Sequence, residues 1–283
     1  MSGETPREAE PGSAAAPPAG SGPAAAPAPS PVSSLPDDEL FAALDTGIAA
    51  MLDVPVEAYD HPVPSCPGWT VTDLLTHTTR VHLWATRRAT AGPDERVPFP
   101  KDELGTGASL HAAFRANATG LVDALHTVDL DRLAPTFVGA QPARWWLRRQ
   151  AQETIVHAWD AAAALGTPPP IDASLAIDGI DEMLDVFFVH RFPADTFGGT
   201  GETMHLHATD PPPEMAAAGR GEWLVRFEPD GPVVTREHAK GDVAVRDQAS
   251  NLLLFLWSRV APTALTTFGD ETVLERYQAA ASY

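Results

Sequence analysis

Apolar residues recur every three to four positions through the first half of the chain and, in short stretches, every second position through the later half. Leu40, Phe41, Leu44, Ile48 and Leu52 follow a Ser-Ser-Leu-Pro-Asp-Asp start and predict a first helix from Asp37. After a Pro-rich connection (VPVEAYDHPVPSCPGWT), Thr70 with Asp73 three residues on forms a capping box, opening a second helix from Val71 to about Ala91. Its inward stripe is Leu74, His77, Val81 and Trp84. Leu110, Phe114, Ala118, Leu121 and Leu125 mark a third helix, and a fourth runs from about Ala143 to Leu165, where Gly166 and a Pro triplet stop it. Four helices with one apolar stripe each predict a four-helix bundle over residues 37–167.

The Gly-Thr-Pro-Pro-Pro break near residue 168 is the expected domain boundary. Beyond it the pattern is mixed: a helix around Leu175–Phe192, alternating runs at Thr203–His207 and Trp223–Phe227, and shorter ones at Val233–Thr235 and Val243–Val245. A very apolar helix, Gln248–Val260, and an amphipathic segment, Glu271–Ala281, close the chain. The expectation is a two-domain α+β protein, the bundle followed by a smaller α+β domain over 168–283. Residues 1–36, almost wholly Ala, Pro, Gly and Ser, have too little apolar bulk to offset their ordering entropy and read as a disordered or polyproline-like tail.

Charge and sulfur narrow the function classes. With 19 Lys+Arg against 38 Asp+Glu the 283-residue chain carries a formal charge of −19, which repels phosphate backbones and anionic lipid surfaces. Nucleic acid and membrane are therefore not expected partners, and no apolar run approaches the roughly 20 residues of a spanning helix. The single Cys66 excludes a disulfide scaffold and any two-cysteine redox chemistry. It fits a reducing cytoplasm, and no export signal precedes the fold.

On the fourth helix Glu153 and His157 stand at i and i+4, so a carboxylate and an imidazole project from one face. Such pairs arise often by chance, and spacing alone favours a solvated pair. His77, on the inward stripe of the second helix, offers a third ligand, although an imidazole there also suits a hydrogen-bonded core position. Two nitrogens and one carboxylate oxygen give zinc three protein ligands and leave a fourth position open to a thiolate or water.

The run Pro64-Ser65-Cys66-Pro67-Gly68-Trp69-Thr70-Val71-Thr72-Asp73-Leu74-Leu75-Thr76-His77, with Glu153-Thr154-Ile155-Val156-His157-Ala158-Trp159-Asp160, resembles the mycothiol-dependent maleylpyruvate isomerase family of actinobacteria. That family belongs to the DinB-like four-helix-bundle superfamily. The resemblance continues through Gly201–Asp210 and Ala249–Arg259 and covers about residues 37–280. It implies a zinc or other divalent metal site at His77, Glu153 and His157, and mycothiol as thiol cosubstrate. It also implies a small electrophilic substrate attacked by a metal-activated thiolate, in a cis-trans isomerisation or an S-transfer. Two residues depart from the family pattern: Gln152 stands where a His usually precedes the glutamate, and Ala158 where an Arg usually precedes Trp-Asp. Such departures bear on the groups that orient the ligands and on charge complementarity to substrate.

The resemblance also places Arg259 near the active cleft, as a catalytic and cofactor-binding group for a carboxylate of substrate or thiol; a helix C-terminus suits the same charge equally. Cys66 and Trp69 read as packing residues at a helix entrance, and His205 and His207 as a structural pair on one strand face. The positions of Arg80 and Arg149, inside or outside the cavity, stay open. Two other functions are compatible with this pattern: a non-catalytic member that binds a ligand or partner, and a zinc hydrolase that needs no thiol.

Overall fold

The computed structural model describes residues 33–166, 168–188 and 199–281. Four long helices come first: α1 (Asp37–Leu52), α2 (Val71–Thr90), α3 (Gly107–Thr127) and α4 (Arg144–Leu165). The predicted capping box opens α2, with the Asp73 amide donating to Thr70 Oγ1 at 3.4 Å and the Thr70 amide to Asp73 Oδ2 at 2.8 Å. α1 packs chiefly on α4 and α2 on α3. A hairpin of β1 (Leu133–Thr136) and β2 (Gly139–Pro142) precedes α4. The sequence pattern missed it, because Pro135 and Pro142 mark the segment as loop; a two-stranded ribbon tolerates them, having no strand on its outer edges.

Beyond the Pro168–Pro170 break, Asp172 caps α5 (Ala173–Glu182) by accepting from the Ser174 and Leu175 amides. The helix then widens into a π-type turn, Met183–Phe188, so the expected helix is interrupted there, and 189–192 lie outside the described residues. A five-stranded sheet follows, built from β3 (Glu202–Ala208), β4 (Glu222–Glu228), β5 (Gly231–Thr235), β6 (Val243–Asp247) and β7 (Thr266–Gly269). Between them lie α6 (Pro213–Ala217) and α7 (Ala249–Leu256), and α8 (Thr272–Ala280) is the last described element. Strand order is β5-β4-β3-β6-β7, with only β3 and β6 parallel. The mixed α/β class, a helical part followed by a sheet region, is as the pattern predicted; β7 is too short and too polar to have announced itself.

Period-2 alternation explains the sheet. Met204 and Leu206 are fully buried, while His205 and His207 project from the opposite face of β3. One apolar core runs from Leu40, Leu44 and Trp146 through Ile177 and Leu253 to Leu206 and Trp223, so the break at 168 does not interrupt it. Each such buried Leu or Trp contributes about 1.5–3 kcal/mol. A second cluster, with Met51, Val71, Leu74, Phe114 and Ala158, closes the end of the bundle beside Cys66 and Trp69.

Two local corrections bear on function. Contacts with the second half already involve residues before Asp37: Ser33 Oγ and the Ser34 amide donate to Asp178 Oδ1 at 2.7 and 3.0 Å, and Leu35 is buried. The tail reading for residues 1–32 lies outside the described residues. The apolar helix α7 stops at Leu256, not Val260, because Ser258 takes a left-handed conformation (φ 61°) and the Arg259 amide donates back to Leu254 O at 2.7 Å. Arg259 therefore leaves the helix axis and turns towards the bundle.

Candidate metal centre

α2 and α4 bring His77, Glu153 and His157 together. Glu153 Oε1 lies 3.3 Å from His77 Nε2 and 3.2 Å from His157 Nε2, and the three ligand atoms fall within 4.8 Å of one another. Tetrahedral ligands with bonds near 2.05 Å stand about 3.3 Å apart, a separation that the two Glu153–imidazole pairs match. His77 and Glu153 side chains each keep 18% of their surface exposed, against 9% for His157, so one side of the trio opens outward. Trp69 packs its ring 5.1 Å from that of His77 and fixes its plane from the helix entrance.

The carboxylate is oriented from behind. Arg149, one turn earlier on α4, donates from Nη2 to Glu153 Oε2 at 3.1 Å, leaving Oε1 to face the imidazoles. Its Nη1 donates to the buried Glu182 of α5, and its guanidinium lies over the Phe187 ring at 5.0 Å. Arg149 is thus inside the site, whereas Arg80 turns outward and donates to Asp102 O. Burial works against ionising Glu153, but His157, His77 and Arg149 outweigh it and hold the carboxyl well below its usual range.

His157 is held equally firmly. Its Nδ1 donates to Asp160 Oδ2 at 2.9 Å, which fixes the tautomer and aims Nε2 at Glu153. Burial lowers the imidazole's affinity for a proton, yet Glu153 and Asp160 overcome that and lift its pKa to about 9. A positive particle is wanted between these nitrogens and the carboxylate: a proton, or a divalent cation in its place.

Asp160 is the hub that the spacing did not single out, although it lies three residues after His157 on the same helix face. Fully buried, it accepts from Ser65 Oγ (2.6 Å) and from Arg259 Nε (3.2 Å) and Nη2 (3.0 Å). Burial opposes its ionisation, and Arg259 with His157 overcomes this and keeps it charged. Arg259 Nη1 donates to Trp257 O at 2.7 Å. The structure therefore places Arg259 on the carboxylate behind His157, and its contacts are with Asp160 rather than with the three candidate ligands. Cys66 donates its thiol to Asp160 at 3.6 Å; burial first, and then the Asp160 charge, push its pKa up to about 12.

The two departures from the family pattern point elsewhere. Gln152 donates from Nε2 to Leu175 O and Asp178 Oδ2, tying α4 to α5, and an added Cβ at Gly179 would meet Gln152 Oε1 at 2.5 Å, so a side chain there would displace the Gln152 amide. Ala158 is buried in the apolar cluster at the bundle end.

Comparison with known proteins agrees with this layout. Residues 40–162 match the model of the mycothiol maleylpyruvate isomerase N-terminal domain, and residues 174–276 match that of the MDMPI C-terminal domain. The chain belongs to the mycothiol-dependent maleylpyruvate isomerase family. In fold it is similar to the crystal structure of the mycothiol-dependent maleylpyruvate isomerase, with 15% identity, a TM-score of 0.56, and coverage of 82% of this chain and 93% of that one. A histidine-to-alanine mutant of that isomerase is matched over the same shares at 14% identity and the same TM-score. No curated protein matches the chain. The first match spans all three candidate ligands and the second spans the sheet. Among the described residues, no helix is long and apolar enough to cross a membrane.

Proposed function

We propose that this chain is a cytoplasmic, mycothiol-dependent enzyme in which His77, Glu153 and His157 hold zinc or a similar divalent cation. It would act on a small electrophilic substrate as a cis-trans isomerase or S-transferase, maleylpyruvate being one candidate. The observation that carries this reading is the single oxygen, Glu153 Oε1, set 3.3 and 3.2 Å from two imidazole Nε2 atoms. Bound there, zinc supplies the positive charge that keeps a thiol ionised near neutral pH.

The chain's own groups prepare the site. His77 and Glu153 form its open side, Arg149 turns Glu153 to present one oxygen, and Asp160 fixes the His157 tautomer. Arg259 is read as a positioning residue that acts through Asp160, to which its Nε and Nη2 donate. Cys66 is a poor source of thiolate with its pKa near 12, which supports a reactive sulfur brought by a cosubstrate.

Purified protein should contain zinc and convert a conjugated electrophile only when mycothiol is present, with adducts or isomers followed by mass spectrometry and absorbance. His77→Ala should lose both metal and turnover. A His77→Ala protein with full metal and full rate would sink the reading; a rate unaffected by omitting thiol would favour zinc hydrolysis.

A further inference from the structure

A second group of metal-ligating side chains lies on the face of the sheet turned away from the core. His205 and His207 alternate on β3, Glu222 stands opposite His207 on β4, and His238 arrives from the connection between β5 and β6. Glu222 Oε2 is 3.0 Å from His205 Nε2, 3.4 Å from His207 Nδ1 and 2.5 Å from His238 Nδ1. All four ligand atoms lie within 4.8 Å of one another. The three imidazole rings meet nearly edge to face, at 78–90° to each other, so their nitrogens converge instead of stacking.

We infer that His205, His207, Glu222 and His238 form a second divalent-cation site, separate from the bundle centre, that takes zinc. Three imidazoles and one carboxylate form a four-ligand set of the kind that closes a tetrahedral shell, which marks a structural site. Imidazole nitrogen also selects zinc over magnesium or calcium, which prefer all-oxygen shells.

The site has a mechanical consequence. His238 is the ligand farthest from the sheet's hydrogen-bond ladder, with 77% of its side chain exposed, and the cation would clip its segment to β3 and β4. Two residues earlier, Arg236 pairs with Asp181 and Asp185, on α5 and the turn that follows it. The clip would thus hold the segment that braces the helix carrying Glu182, the partner of Arg149.

The test separates this site from the bundle site. Metal-free His77→Ala protein is titrated calorimetrically with zinc chloride, beside His77→Ala/His238→Ala. One more zinc per chain is expected in the first than in the second, with a zinc-induced rise in melting temperature that the second lacks. Replacing exposed His238 leaves the core untouched, so a failure to fold does not confuse the comparison. Equal stoichiometry in the two proteins, or magnesium chloride giving the same extra binding, overturns the proposal whatever the bundle site does.

Discussion

Replacing Asp160 by Asn keeps the shape of the group behind His157 and removes its charge. In the native fold this carboxylate accepts from Ser65, from the Nδ1 of His157 at 2.9 Å and from two nitrogens of Arg259. The substitution leaves the Arg259 guanidinium, only 10% exposed, without its counter-charge, and breaking such a buried pair costs about 3–5 kcal/mol. It also loosens the tautomer and orientation of His157, and losing a group of this kind typically weakens metal binding about 10- to 100-fold. The two effects can be parted with Asp160→Asn/Arg259→Met. Removing the stranded cation should restore most of the stability, while zinc affinity stays low because nothing charged orients the imidazole. Urea midpoints of the metal-free proteins report the first effect, and competition with a chromophoric chelator reports the second. Zinc affinity within twofold of wild type in Asp160→Asn, or its recovery together with stability in the double variant, would refute the reasoning.

Proton competition gives a further prediction. The His157 pKa is lifted from 6.5 to about 9 in the metal-free fold, so the protonated ring stabilises that fold by on the order of 3 kcal/mol. This contribution is full below about pH 6.5 and is lost as pH rises through 9, which denaturant midpoints across that window will register. Zinc must displace the same proton, so its affinity should climb about tenfold per pH unit up to pH 9 and then level; a flat profile between pH 7 and 9 contradicts the assignment. Cys66→Ser should keep zinc and thiol-dependent turnover close to wild type in steady-state assays, and a loss beyond about 100-fold would make Cys66 a participant in the chemistry.

Local pattern was enough for the first four helices and for choosing three candidate ligands, while the metal role of those ligands was implied by the family resemblance and not by spacing. Helical periodicity carried α1 to α4, Thr70 and Asp73 announced the start of α2, and i,i+4 spacing put Glu153 and His157 on one face with His77 inward on another helix. Period-2 alternation located β3 and β4. Each is a property of residues a few positions apart, which is why a linear reading reaches it. Elements whose signals are short or crossed by proline were not legible: the β1–β2 hairpin, β7 and the π-type turn after Glu182.

What the tertiary structure alone decided concerns partners far apart in the chain. Asp160 collects Ser65, 95 positions away, and Arg259, 99 away, and Arg149 links Glu153 to Glu182. The left-handed turn at Ser258 takes Arg259 off its helix and onto Asp160, a contact that neither helix polarity nor family likeness had specified. Gln152 binding α5 and His238 meeting β3 and β4 are decisions of the same kind. The sequence by itself determined which side chains lie within one turn or one strand of each other. Only packing decided which buried charges share a hydrogen-bond network, because burying a charge is tolerable only with a partner, and the partner is whatever the folded chain brings within reach.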